Sequence, residues 1–391
     1  VVFQIALFVL ALIVLATLVG LARLWPDEPS AARRTPANTQ KIERATVKGL
    51  TSIQCRAPGE LECTRVLIRL DSGPDRRGYA LFTTGETTQD VRLSLGDHIR
   101  VYRLEIPADA TIGGVTPDRY GFSDYERQSS LIWLIVIFCV IVVVAGRMRG
   151  LQALAGLGLS LLIVVKFVVP AILDGGDPVA VALVGALAVM LVTIALAHGF
   201  GPKAVAAMLG TAAAICLTAL LASIATDAEH LTGLGSEDTD YLRAIAGDIS
   251  LQGLLLAGMI IGALGVLDDL TVSQASTVMA LRRANARLGA GRLIREALDV
   301  GQDHVAATVN TLVLAYAGAS LPILLLFSLG DWSFGQAINS EAVAEQIVAM
   351  IVGSIGLIAA VPITTGLAGL IASDLPAELT TDESAHAAHA H

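Results

Sequence analysis

The sequence predicts a mainly α membrane protein of about eight transmembrane helices, with a small β-rich extracytoplasmic domain between the first and the second. Three observations carry that expectation. The 391-residue chain is 54% hydrophobic and only 16% charged, more apolar content than a soluble core can hide. Its mean hydropathy is +0.69, and uncharged stretches near the roughly 17 to 25 residues needed to cross a bilayer as a helix recur along it. Between residues 25 and 128 the composition turns polar and strand-like, punctuated by turn residues.

Residues 2–22 form the first predicted span, within a first segment 1–24. It is too long for a signal peptide and has no small-residue cleavage pattern before Trp25-Pro26. The charged flank expected ahead of it is missing, so the natural chain is expected to start further upstream. In the external segment, strands are predicted at 45–53, 64–70, 79–84 and 98–104, separated by Ser72-Gly73-Pro74-Asp75 and Gly96-Asp97. A closed or half-closed β-barrel follows. Cys55 and Cys63 bracket Pro58-Gly59 and are the candidate disulfide, on the oxidising side of a bacterial envelope. Cys139 and Cys216 sit in apolar stretches and read as small core residues.

The helical domain, 129–373, holds predicted spans at 131–146, 151–173, 179–197, 204–226, 251–280, 305–329 and 346–372. A tail, 374–391, carries His386, His389 and His391 and reads as a disordered, solvated cytoplasmic terminus. Orientation follows from basic residues in short loops rather than from the net charge of −9. With the amino terminus cytoplasmic, Arg147 and Arg149, then His198 and Lys203, then Arg282, Arg283, Arg287, Arg292 and Arg295 all lie inside. The opposite loops carry Asp174, Asp177, Asp227, Glu229, Asp331 and Glu341. Both termini are then cytoplasmic and the β-rich segment is outside, in a bacterial plasma membrane.

The most informative segment is 251–280, an apolar helix broken by Asp268 and Asp269. An acid at membrane depth costs roughly 2.5 to 3.5 kcal/mol on insertion scales, so such residues face a bundle interior, a partner or a water-filled path. The plainer alternative places both acids at the cytoplasmic interface. Gly258, Gly262, Gly265, Asp269, Ser273 and Ser276 recur at steps of three and four and share one stripe. Such glycines let a neighbouring helix approach closely, so Asp269 is expected to be the buried acid. Asp268, about 100° further round, is expected to face a vestibule or the interface.

Downstream, Asp303 and His304 lead into a span that opens with Thr308, Asn310 and Thr311. Asn310 is a costly amide in that setting and Asp269 is its expected interhelical partner. His304 is a candidate proton relay because an unperturbed imidazole titrates near neutrality; an interfacial role is the plainer account. Lys166, deep in the third span, either neutralises an acid or snorkels to the interface. Pro170, Pro322 and Pro362 can break helices and free backbone carbonyls.

These residues resemble the YibE/F family of bacterial multi-pass membrane proteins over about residues 125–372. The matching blocks are Ala197-His198-Gly199-Phe200 with Lys203 and Gly210-Thr211, then Gly262-Ala263-Leu264-Gly265 through Asp269 and Ser276. A third runs from Asn310-Thr311-Leu312 through Tyr316-Ala317-Gly318-Ala319-Ser320-Leu321-Pro322. The resemblance implies a plasma-membrane protein, described loosely as a permease, with no firmly assigned substrate. It puts an acid at Asp269 and an apolar residue at Asp268, where this chain departs from it. The order of one span, external domain, further spans, intramembrane acid and basic connector is also similar to half of a SecD/SecF-type proton-driven exporter, with two more spans than SecF.

Two functions are carried forward from the sequence. The first is an ion- or proton-coupled transporter or export factor of unknown substrate, with Asp269, Asp268, Asn310, Thr311, Asp303, His304, Lys166 and His198 as coupling or ion-binding candidates. The second is an envelope assembly or scaffold protein that binds a partner through its external β domain or as a homo-oligomer. An intramembrane aspartic protease is disfavoured, because adjacent acids on one helix diverge while that chemistry needs two converging carboxylates. No phosphate loop, nucleophile elbow or metal-binding cysteine set is present. No enzyme activity, cofactor or metal is therefore expected. The acidic balance, with no basic external patch, excludes nucleic acid as a partner; the lipid bilayer and a transported proton or other ion remain.

Overall fold

The computed structural model describes residues 1–26, 41–53, 63–85, 92–104, 118–245, 249–330 and 332–376. It divides into two compact units, Arg34–Ile141 and the remainder, Val1–Arg33 with Val142–His391.

The smaller unit is a five-stranded antiparallel sheet, β1 (Ile42–Ile53), β2 (Cys63–Leu70), β3 (Tyr79–Gly85), β4 (His98–Arg103) and β5 (Tyr120–Tyr125), in the order β3-β2-β1-β4-β5. β3 and β5 also approach one another, which makes the sheet a half-barrel. Alternation puts Val66, Ile68 and Leu70 of β2 on the inner face, where they join Ala45, Val47, Phe82, Ile99, Val101 and Tyr120 in one buried cluster. A register shift between Val47 and Gly49 bends β1. β5 is an addition to the four predicted strands: its Tyr-Gly-Phe-Ser-Asp-Tyr run carries turn residues that mask the alternation. The bridge predicted between Cys55 and Cys63 involves Cys55, which lies outside the described residues.

One inner-face residue of β1 is an acid. Glu43 is 3% exposed, and neither carboxyl oxygen has a hydrogen-bond partner. Gly73, at φ +86°, lies flat against that carboxyl group, leaving no room for a Cβ. Burial pushes the Glu43 carboxyl above its usual range. Asp71 shows the opposite balance: burial pushes it up, but hydrogen bonds from Thr46 and Arg69 outweigh that and hold it below the usual range. The Tyr120 hydroxyl, buried and donating to Asp75 at 2.8 Å, is pushed up to about 12.

The larger unit is helical: α1 (Val2–Leu24), α2 (Gln128–Ile163) continued through a π-helical turn (Val164–Val168) and α3 (Val169–Leu173), α4 (Pro178–His198), α5 (Pro202–Ala228), α6 (Glu237–Ile245), α7 (Leu251–Ala284), α8 (Ala290–Ala319), α9 (Leu321–Leu329), α10 (Phe334–Ile338) and α11 (Glu341–Asp374). The first residues of α2 belong to the smaller unit. Six helical segments among the described residues are long and apolar enough to cross a membrane, and α8 with α9, bent by 56°, makes a seventh.

The sequence predicts eight, and the difference lies in α2. The predicted second and third spans occupy one helical run, Gln128–Leu173, interrupted at Arg147, whose φ of 49° and ψ of −129° are not helical. Gly150 there abuts the carbonyl of Val142, eight residues back, a separation that a straight helix would hold at roughly 12 Å. The chain therefore turns sharply at the boundary the sequence puts between the two spans. In the seventh predicted span, Pro322 at the start of α9 marks the bend.

Local chemistry sets the helix starts. Asp177 accepts a hydrogen bond from Ala180 N at 2.8 Å and Pro178 opens α4, while Ser250 accepts from Gly253 N at 3.0 Å to start α7. α4, α5, α7 and α11 bury a common core that includes Met190, Met208, Ile260, Leu267 and Leu357. α5 and α11 meet where Gly210 faces Thr364 and Gly356 faces Thr218, each too tightly for a Cβ. The close helix contact expected at Gly258, Gly262 and Gly265 is not there: all three are exposed. An added Cβ would meet nothing within 4 Å at Gly258 and Gly265, and the Tyr316 hydroxyl at 3.6 Å beside Gly262. Close packing on glycine is instead found on other helices, at Gly210 of α5, Gly356 of α11, Gly185 of α4 and Gly301 of α8 among them. Cys216 is exposed, not a core residue, and Cys139 is partly buried.

Candidate functional site

Asp268 and Asp269 lie midway along the 34 residues of α7, and the structure exchanges the roles expected of them. Asp269, on the glycine stripe, is exposed. Asp268 turns into the bundle, where its Oδ2 lies 2.8 Å from Thr193 Oγ1 of α4. Its Oδ1 is buried with no hydrogen-bond partner. Thr193 Oγ1 also lies 2.9 Å from Val189 O and 3.1 Å from Met190 O of its own helix. The glycine spacing identified a real stripe, but one that looks away from the core helices, so the acid on the other side of the register is the buried one.

A row of polar side chains continues from Asp268 at steps of three. Thr271 Oγ1 is 3.1 Å from the Asp268 carbonyl and 2.5 Å from Thr211 Oγ1 on α5. Gln274, 1% exposed, donates from Nε2 to Ala297 O of α8 at 2.7 Å. Gly301 of α8 packs directly against that amide. Thr364 of α11 is also fully buried, its hydroxyl unpartnered, against Gly210, the residue before Thr211. One face of α7 therefore presents an acid, a hydroxyl and an amide to α4, α5 and α8 in turn. The recurrence Asp268, Thr271, Gln274 is the sequence signal for this face.

The other candidates stand apart from this row. Asn310, Thr311, Asp303 and His304 of α8 are all exposed, and among the described residues no hydrogen bond joins Asn310 to Asp269. The hydroxyls of Thr308 and Thr311 bond back to His304 O and Ala307 O of their own helix. The cause is packing: α8 buries Leu293, Ala297 and Gly301 in its first half, and in its second half Val305, Val309 and Tyr316 pack against the core, while Asp303, His304, Asn310 and Thr311 lie on the open side. Lys166 is exposed in the π-helical turn and makes no ion pair with Asp268 or Asp269. His198, at the end of α4, sits with Nδ1 3.2 Å from Lys203 Nζ.

Among the described residues no group of three or more His, Cys, Asp or Glu could hold a metal ion. An apolar groove of about 410 Å³ between α1, α5 and α11 is lined by Val2, Ile5, Ala212, Cys216 and Leu370 among others. It contains neither acid, so the buried carboxyl is not part of an open cavity of that kind. Chemically, the row offers one titratable group placed at a contact between two core helices, with hydroxyl and amide neighbours that can both donate and accept hydrogen bonds.

Residues 134–374 match the family model of the YibE/F-like proteins. No curated protein and no solved structure matches the chain. The family match takes in α7 and its partners α4, α5, α8 and α11 and covers more than half of the 391 residues; the chain belongs to the YibE/F-like family.

Proposed function

We propose that this protein spans the bacterial plasma membrane and works as an ion- or proton-coupled transporter or export factor, with Asp268 as the coupling carboxylate. The observation that carries this is the Asp268 carboxyl group itself, turned into the helix core with one oxygen on Thr193 and the other unpartnered. A neutral acid is tolerated there. A carboxylate leaves a buried charged oxygen uncompensated, at a cost above the roughly 1 to 3 kcal/mol of a neutral unsatisfied group. Ionisation therefore favours an arrangement in which α7 and α4 separate enough to admit water or a cation. Thr271 and Gln274 pass that movement to α5 and α8, to which they are hydrogen-bonded.

Positive-loop bias gives the orientation: the connector between α7 and α8 cytoplasmic and the β unit outside. A second reading, an envelope scaffold that binds a partner through the β domain, draws on the separation of the chain into two units. The two readings part on Asp268, which a scaffold does not need to ionise.

The test is an unbiased profile of ions and metabolites in a strain lacking the protein. It is compared with strains that carry the wild type or Asp268→Asn at native level. The transporter predicts the same accumulated or depleted species in the deletion and the Asp268→Asn strain. A wild-type profile in the variant removes the coupling role and leaves the scaffold.

A further inference from the structure

We infer that the ion carried by Asp268 is a proton, bound as the carboxylic acid and held by Thr193. This deepens the coupling role proposed above and rests on it for its functional meaning, although the proton site stands on its own geometry. Thr193 Oγ1 has one hydrogen and three oxygen neighbours: Asp268 Oδ2 at 2.8 Å, Val189 O at 2.9 Å and Met190 O at 3.1 Å. With Asp268 ionised, that hydrogen serves either the carboxylate or the helix carbonyls. Either choice leaves two bare oxygens facing each other at hydrogen-bond distance. With Asp268 protonated, its Oδ2–H donates to Thr193 Oγ1, and Thr193 donates onward to the carbonyls. Every short contact then holds a hydrogen. The second oxygen agrees: Oδ1 is buried and unpartnered, which suits the carbonyl of a neutral acid and not half of an anion.

A hard metal cation fits poorly. Such ions take about six or more oxygen ligands, whereas this site presents the carboxyl group and one hydroxyl already committed to its own helix. The Thr271 hydroxyl is turned to the Asp268 backbone carbonyl and to Thr211. The charge balance is simple, since a proton from the aqueous phase converts the carboxylate to the acid and no other bond changes.

Among the described residues no titratable side chain of the surrounding helices is hydrogen-bonded or ion-paired to Asp268, and the buried Glu345 of α11 accepts instead from Gly235 N. Asp269 is its neighbour on α7 and is exposed. α4 offers His198, five residues beyond Thr193 and beside Lys203. α5 has Lys203 and Asp227 at its ends, with the exposed Cys216 between them. α8 presents Arg292, Arg295, Glu296, Asp299, Asp303, His304 and, further along, Tyr316, and α11 has Glu341, Glu345 and Asp374 near its ends.

Infrared difference spectroscopy on the full-length chain in lipid vesicles, with labelled aspartate, reads the acid directly. The expected result at neutral pH is a carboxylic-acid C=O band that disappears in Asp268→Asn and persists in Asp269→Asn. It shifts in Thr193→Val, returns to its wild-type position in Thr193→Ser, and is unchanged when sodium replaces choline at constant pH. Should Asp268→Asn fail to fold, the Thr193 pair still decides the assignment. Absence of the band from folded wild type, or its loss on adding sodium at constant pH, overturns the proton. Loss to sodium together with an inactive Asp268→Asn would do so while leaving a coupling carboxylate in place. An Asp268 acid band combined with full activity of Asp268→Asn has the opposite meaning: the proton site stands and the coupling role falls.

Discussion

Asp268 and Asp269 are neighbours in sequence and differ in almost everything else. Asp268 contacts another helix through a hydroxyl and hides its second oxygen; Asp269 is open. Asp268→Asn keeps the shape but cannot ionise, so it is expected to abolish activity, at least 100-fold in a quantitative assay, with normal insertion. Asp269→Asn is expected to cost only a few-fold, measured in the same assay at matched expression. That α7 carries an acid turned into the helix bundle was legible from an apolar stretch carrying two acids. The face was not: glycines at helical spacing indicate that a helix can be approached, and only the partner decides whether it is. Gly210 and Gly356, which do meet side chains tightly, lie in small-residue rows of the same kind, Ala207-Gly210-Ala214 and Gly353-Gly356-Ala360, so spacing alone does not tell the packed stripe from the open one. Thr193 was legible only as one hydroxyl in an apolar helix, because its importance comes from an acid 75 positions away.

At the scale of elements, the close approach of α5 to α11 makes a direct prediction. Gly210→Val and Gly356→Val force side chains into Thr364 and Thr218, and overpacking of this kind costs about 1 to 3 kcal/mol. Gly258→Ala meets open space and relieves a helix-interior glycine, so it is expected to be neutral or stabilising by up to about 1 kcal/mol. Thermal stability of the purified full-length variants distinguishes the two cases. In the β unit, Glu43 has its native carboxyl pushed up by burial. Its contribution to stability is therefore complete below the unfolded value of 4.5 and is lost as pH rises through the higher native value. Asp71, held low, acts in reverse: its contribution is present above 3.8 and is lost as pH falls through its lower native value. Glu43→Gln is thus expected to slow amide exchange of β1 at pH 7, with the gain shrinking towards pH 4.5 as wild-type Glu43 gains its proton. An equal gain at both pH values would contradict this account. The four strongest strands were legible from alternation and turn residues. β5 was not, since its position beside β4 compensates for a sequence poor in apolar residues.

For the molecule as a whole, composition predicts a chain of apolar helices, which the structure has, and the basic loops predict an orientation, while the number of spans depends on one backbone conformation at Arg147 and one bend before Pro322. Arg147 and Arg149 do interrupt the hydropathy, and the sequence counts two spans where the structure has one helical run turned at Arg147. The bend before Pro322 has no charge to mark it, so eight spans were expected and six helices with a bent seventh pair are found. Cysteines introduced singly, in a background lacking all four native cysteines, Cys55, Cys63, Cys139 and Cys216, test the orientation. An impermeant reagent applied to intact cells is expected to label positions in the β unit and to spare the connector at Arg287; the reverse pattern would invert the arrangement. Coupling of the protein to an ion through an ionisable carboxyl at position 268 is read by complementing a deletion strain with Asp268→Asn across a range of external pH at native expression. The expected outcome is a folded, inserted protein that fails to complement at every pH, beside an Asp269→Asn protein that largely succeeds. Full complementation by Asp268→Asn throughout that range would contradict it.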